Sequence, residues 1–410
     1  MTDALWRLSG STIAREIFKM SDVRIAGLSD VTSGYAVPQF ELFIESLAKY
    51  YDPATAFILE PDMKGRRSMR VNPLVNFRRF CTRMPPHDEL FHIDYNIQLL
   101  KFLNDFDPNI VVIVNAAVIP ALLLMREKPD FVIYYMLESL SLQLHAGGEH
   151  YLDLNHMVRD SVDLIVVPEL RRASVDMKSL GWTNKPTVQI LNVSNTEFEP
   201  GAVVEQCRFL YAGTIGPQCC CDYLFDERLG NLQIDVAGPV DSESARSLVK
   251  RMSDTGGRIR YLGLLPTIEL KAILHDYAFR IVSWKPNDIN TVFASPNKLF
   301  ESIAVGIPPI ATPQPQCVEV IEEFECGIII DDWGVDAFVR ALEYANTIFQ
   351  TEKYFSLVRN CKKAVDSSLN WGRQFMEVEP YLRPRSTILR ENERQRFSGS
   401  LIDELVKPGI

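Results

Sequence analysis

The chain has 410 residues, too many for one ordinary domain, so two are expected. Apolar residues make up 47% and charged residues 23%, the mix of a globular protein with large cores. A net charge of −10 and a pI near 5.3 exclude broad nucleic-acid binding, which needs a basic footprint.

In chain order, the N-terminal stretch "MTDALWRLSGSTIAREIF" has no basic segment leading into an apolar run, so no signal peptide is expected. The first buried strand is "VRIAGLSD" (23–30), followed by a helix over 37–51 and a strand over 55–60. The segment from Lys64 to Arg83 holds Lys64, Arg66, Arg67, Arg70, Arg78, Arg79 and Arg83 and no acidic residue. Leu74, Val75, Phe77 and Phe80 interleave with those charges. Such a segment suits an anionic membrane surface, at about 1 kcal/mol per basic side chain. A solvated basic loop, one paired with acidic residues, or a groove for an anionic acceptor reads the same residues equally well.

A helix over 95–106 precedes strand 110–115. "IVVIVNAAVIPALLLM" (110–125) is short for a bilayer crossing and holds Asn115 and Pro120, so a buried strand, a loop and an apolar helix are expected there. Strands at 131–137, 164–168 and 188–192 complete the first half. Continuous apolar runs imply parallel strands covered on both faces. Polar "NTEFEPGAVVEQ" (195–206) reads as a linker.

The pattern then restarts, with strands at 208–214, 232–238, 259–265, 280–284, 308–312 and 327–331 and helices such as 266–277 and 334–350. The fold class is α/β, with two doubly wound domains. No G-x-G-x-x-G follows the first strand and no G-x-x-x-x-G-K-[ST] occurs, which argues against ordinary dinucleotide and P-loop sites. Ligands of open α/β sheets bind beyond the C-terminal strand ends, so a cleft between two such sheets is the expected site. Eight cysteines without a Cys-x-x-Cys pair, including Cys219-Cys220-Cys221, read as free thiols in a reducing cytoplasm.

The most informative stretch is "ASPNKLFESIAVGIPPIAT" (294–312). Ser295 is a good N-cap and Pro296 suits the first helical position. The first-turn N–H groups of Asn297 and Lys298, the helix dipole and the Lys298 ammonium then make an anion site. Glu301, three residues on, can accept hydrogen bonds from a vicinal diol such as a ribose. Local physics alone favours a plainer reading, a capped helix with an exposed Lys–Glu pair.

"SPNKLFESIAVGIPPIAT" resembles the nucleotide-sugar motif of GT-B-fold glycosyltransferases, above all the retaining family 4. "FLYAGTIGP" (209–217), "VAGP" (236–239), "YLGLLPTIELKAILHDYAFRIVSW" (261–284), "VVPELRRASVDMKSLGW" with "VQILNVSN", and "LNWGRQFMEVEPYL" (369–382) fall in that family's order. The resemblance covers most of 22–383. It implies two Rossmann-like domains facing a central cleft: an acceptor-side domain over 1–195, a nucleotide-sugar domain over 206–366, and a crossover helix and tail over 367–410 packing back on the first.

The resemblance also implies residue roles. Glu301 would bind the donor ribose. Ser295, Asn297 and Lys298 would hold the diphosphate, with Gly213, Thr214 and Gly216 beside them. Gly34 would let backbone approach the donor or acceptor; a simple turn is the other reading. Lys298 and Glu138 are the catalytic candidates. Asn115, Ser139 and His145 are acceptor-side candidates; His145 and His150 read equally as surface histidines. Two departures stand out. Phe293 occupies a position where many members carry a second Glu, with Asp288 or Asn290 as substitutes. "GPQCCCDY" offers cysteines, Cys219 among them, where a basic residue is usual.

The implied activity is metal-independent, retaining transfer of a hexosyl group from a nucleotide-diphosphate sugar to a polysaccharide, glycan or lipid-linked acceptor, with no cofactor. Asp105-Phe106-Asp107, the one stretch like a metal-binding Asp-x-Asp, lies in a helix-to-strand loop on the wrong side of the sheet. The implied location is cytoplasmic, with a peripheral membrane contact through 64–83. Two other classes fit the same residues, a sugar-nucleotide 2-epimerase and a non-catalytic homologue that binds or scaffolds.

Overall fold

A computed structural model describes residues 22–32, 38–62, 72–82, 89–194, 204–240 and 242–389. Gly34, Lys64, Arg66, Arg67, Arg70, Arg83, most of the expected linker and the tail beyond 389 lie outside the described residues.

The chain divides into two compact units. The first takes the chain up to Val167, then Asp176–Val188 and the segment from Val378; the second takes Pro168–Val175 and Gln189–Glu377. The first unit carries a seven-stranded sheet: β1 (Val23–Leu28), β2 (Ala54–Pro61), β3 (Val75–Phe80), β4 (Ile110–Val114), β5 (Phe131–Tyr135), β6 (Leu164–Val167) and β7 (Thr187–Gln189). Their order is β3-β2-β1-β4-β5-β6-β7. The register places Ile25 of β1 between Ala56 and Ile110, all three fully buried. Helices cover the sheet with apolar faces; Pro38–Tyr50 contributes buried Phe40, Phe43, Ile44 and Leu47.

The second unit repeats the plan with six strands: β8 (Arg208–Ala212), β9 (Gln233–Ala237), β10 (Ile259–Tyr261), β11 (Phe279–Val282), β12 (Pro309–Ala311) and β13 (Ile328–Ile329). Their order is β10-β9-β8-β11-β12-β13. Phe209 and Phe279 stack at 5.7 Å in its core. All strand pairs with a given register are parallel, as uninterrupted apolar runs demand. In both sheets the order reverses beside the first strand, at β1/β4 and at β8/β11. Those reversals open a crevice at the C-terminal strand ends, where side chains from two loops converge.

One strand was not expected. β3 lies within the basic segment read as a loop or membrane contact. At the edge of the sheet beside β2, it buries Val75 and Phe80 at its two ends and leaves Asn76 and Arg78 between them exposed. That pattern lacks the apolar continuity of the central strands. Arg79 pairs with the fully buried Glu60 at 2.6 Å, which gives this arginine a structural partner.

Candidate functional site

In the second unit, the loops after β8 and β11 and the start of helix Asn297–Ala304 meet at the reversal point. The helix begins one residue later than the sequence suggested. Its N-cap is Pro296, with no side-chain cap, so Ser295 is not the cap. Pro296 itself is extended (φ −78, ψ 117), so the helix starts at Asn297 and Ser295 falls one position before the cap. The Ser295 hydroxyl is buried without a hydrogen-bond partner, while its carbonyl accepts from Asn192 Nδ2 at 2.7 Å.

Lys298 is buried, not exposed. Its ammonium lies 3.7 Å from the Trp284 ring centroid and 4.3 Å from that of Tyr211, with no hydrogen-bond acceptor of the protein in reach. Burial pulls its pKa down to about 8, because charge without solvent is penalised. A Cβ on Gly213 would come within 3.4 Å of this nitrogen, so the glycine turn and the lysine are neighbours. Tyr211 Oη donates to the Thr214 carbonyl at 2.6 Å and fixes the turn. The Gly216 carbonyl accepts from the backbone N–H groups of Cys219 and Cys221, closing the loop that follows. Gly213 and Lys298 are therefore neighbours, with Thr214 and Asn297 next to them along the chain.

Glu301, about a third exposed, pairs with Arg280 at 2.8 Å. Arg280 was missed. Its signal is a charged residue inside the apolar strand "FRIV", and it is 2% exposed. Its Nε and Nη1 have no acceptor.

The departures resolve structurally. Asp288 Oδ1 accepts from Thr291 N at 2.8 Å in a capping box, and Asn290 Oδ1 accepts from Arg172 at 2.9 Å. Asp288 therefore has a structural task as a helix cap. Cys219, Cys220 and Cys221 are buried free thiols in the core, and burial pushes the last two up to about 12 and about 11.

In the first unit, Asn115 adopts a left-handed conformation (φ 55) just after β4. Its Oδ1 accepts from Glu138 N at 3.1 Å and its Nδ2 approaches Asp30 Oδ2 at 3.5 Å. Asp30, also missed, follows β1; its Oδ1 is buried and unpartnered, and desolvation raises its carboxyl to about 6. Asn115, Glu138 and Asp30 thus converge at the β1/β4 reversal. Ser139 is buried and caps helix Leu140–Gly147 by accepting from Leu142 N, a structural task. His145 lies within that helix. Asp107 pairs with Arg24 at the N-terminal end of the central strands β1 and β4, away from this cluster. Among the described residues no group of three metal-ligating side chains occurs, and no helix is long and apolar enough to cross a membrane.

No family model matches the chain, and no curated protein matches its sequence. Solved structures do resemble it. Sucrose-phosphate synthase from Thermosynechococcus elongatus superposes with a TM-score of 0.66 at 13% identity, over 92% of this chain and 100% of that one. WaaG, a glycosyltransferase involved in lipopolysaccharide biosynthesis, gives 0.64 at 11% identity, over 88% and 100%. Anabaena HepE in complex with UDP and glucose gives 0.58 at 12% identity, over 92% and 100%. These likenesses show the fold: two parallel-sheet α/β units of the GT-B type.

Proposed function

We propose that the chain is a glycosyltransferase that moves a hexosyl group from a nucleotide-diphosphate sugar to a polysaccharide, glycan or lipid-linked acceptor. The observation that carries this reading is the buried, unpartnered Lys298 ammonium beside the Gly213 turn, one helical turn from Glu301. Transfer breaks the bond from the anomeric carbon to the diphosphate, and negative charge grows on the leaving oxygens. A preorganised cation in a desolvated place stabilises that charge most. Lys298 has this position, so the reaction needs no metal in this reading. Glu301 takes the ribose. The retaining outcome and family 4 membership rest on the motif "SPNKLFESIAVGIP". Glu138, at the Asp30–Asn115 cluster, is the second catalytic residue of this reading, with Asn115 on the acceptor side. The HepE structure holding UDP and glucose supports a nucleotide-sugar donor by analogy of fold. A cytoplasmic location, with membrane contact through 64–83, completes the proposal.

A second reading, nucleotide binding without transfer, is favoured by Cys219 and Phe293 standing where a base and a carboxylate were expected. Calorimetry with UDP, GDP, ADP and their sugars tests both. One diphosphate is expected to bind, and Glu301→Ala to weaken it at least tenfold, since a charged hydrogen bond contributes about 1.5–3 kcal/mol. Failure to bind any of them defeats both readings. Tight binding with neither transfer nor hydrolysis leaves the second. Conversion of donor alone to an epimer identifies an epimerase instead.

A further inference from the structure

We propose that Arg280 is a positioning residue for Glu301, fixing the carboxylate so that it presents one oxygen to a nucleoside ribose. The inference rests on the reading of Glu301 as the ribose ligand and adds a residue to it.

Arg280 lies inside β11, in register with Leu210 on one side and Pro309 on the other. Every other residue of that strand is apolar. A guanidinium taken into such surroundings carries a large desolvation penalty, and an apolar side chain of similar volume is often as stable or more so. Stability alone therefore gives little reason for an arginine there. Its side chain makes one ion pair, from Nη2 to Glu301 Oε2 at 2.8 Å. Nε and Nη1 are buried with no acceptor, so no other bond orients the head group. The geometry is one-sided. Oε2 is drawn toward the buried guanidinium, and the planar carboxylate then turns Oε1 away from it. Glu301 retains about a third of its side-chain surface, so it is the partner that can still meet a ligand. Without Arg280 this half-exposed carboxylate samples several rotamers, and a diol must order it on binding.

The experiment measures affinities of UDP, GDP and ADP, each paired with its 2′,3′-dideoxy form, for the wild type, Arg280→Met, Arg280→Lys and Glu301→Gln. For the diphosphate that binds, the wild type is expected to prefer the ribose form at least tenfold. Arg280→Met is expected to bring that ratio within threefold by weakening the ribose form alone, and Arg280→Lys to restore part of it. Arg280→Met retaining the full ratio, or weakening both forms equally, overturns the positioning role while leaving the Glu301 reading in place. A wild type that binds both forms equally removes the Glu301 reading itself. Should Arg280→Met fail to fold, Arg280→Lys carries the same test, and an undiminished ratio there overturns the role.

Discussion

A lysine ammonium held over two aromatic rings, with no oxygen of the protein to receive its hydrogens, is unfavourable in the free protein and useful to an incoming anion. The Trp284 and Tyr211 faces recover part of the desolvation loss of Lys298, since a cation over a ring gains on the order of 0.5–2 kcal/mol. The rest remains, which is why the pKa falls from 10.5 to about 8. The sign follows. Between pH 8 and 10.5 the unfolded chain binds a proton that the folded chain has lost, so stability rises with pH across that window. Below pH 8 the buried charge is a standing penalty of roughly 3 kcal/mol. Lys298→Met is therefore expected to raise the melting temperature of the ligand-free protein at pH 7 and to abolish nucleotide binding. A diphosphate needs the charged form, so wild-type affinity should hold below pH 7.5 and weaken above pH 8, with proton uptake on binding near pH 8.5. Calorimetry in buffers of different ionisation enthalpy reads that uptake; affinity flat from pH 7 to 9.5 would remove Lys298 from the site. The sequence singled out this lysine, because "SPNKLFE" carries it in a recognisable frame. It did not show that the lysine is buried or that Arg280 stands behind Glu301, since both depend on pairings across strands distant in sequence.

At the scale of elements, the loops after β8 and β9 are joined by close backbone contact. Gly213 N donates to the Ala237 carbonyl at 2.9 Å. A Cβ on Gly238 would lie 1.8 Å from the Gly213 carbonyl oxygen, and the Gly238 φ of 152 is one that side-chain-bearing residues rarely adopt. Gly238→Ala must push the Gly213 turn aside, and that turn abuts Lys298. It is expected to destabilise the second unit by about 1–3 kcal/mol and to weaken diphosphate affinity at least tenfold. Gly256→Ala is the control: φ is 65 but nothing lies within 4 Å, so it should lose about 1–2 kcal/mol and leave affinity unchanged. Melting curves and titrations of both variants decide; equal effects on affinity would show that strain and not the turn's position matters. Gly213 stood out in the sequence within "FLYAGTIGP" but Gly238 in "VAGP" was missed, although a glycine ending an apolar strand marks a tight turn. The central strands were legible, their runs being apolar throughout. Edge strand β3 was not, because an edge strand alternates and its arginines read as surface charge. The start of helix Asn297–Ala304 moved because a proline's fixed φ suits extended as well as helical backbone, and Pro296 takes the extended form.

At the scale of the whole chain, the two units have separate cores, and the first depends on a segment that arrives last in sequence. Val378, Leu382 and Ile388 are buried, and Arg383 donates to the Asp130 carbonyl and pairs with Asp163 at 2.8 Å. Tyr51 Oη in turn donates to the Arg383 carbonyl at 2.9 Å. The three apolar side chains alone contribute on the order of 5–9 kcal/mol as an upper bound, comparable with the whole stability of a domain. A chain cut after Glu377 should therefore fail to keep its first unit folded. Arg383→Ala is gentler: the pair is about a third exposed and screened, so the loss should be roughly 1–2 kcal/mol, or about 2–8 °C for a unit of this size. Separate cores predict two thermal transitions. A diphosphate at a hundred times its dissociation constant stabilises the unit that binds it by about 2.7 kcal/mol. That ligand should raise one transition, assigned to the unit holding Lys298, and Arg383→Ala should lower the other. If Arg383→Ala lowers the ligand-responsive transition, or if a single transition responds to both, the stability of the two units is not separable and the last segment supports both.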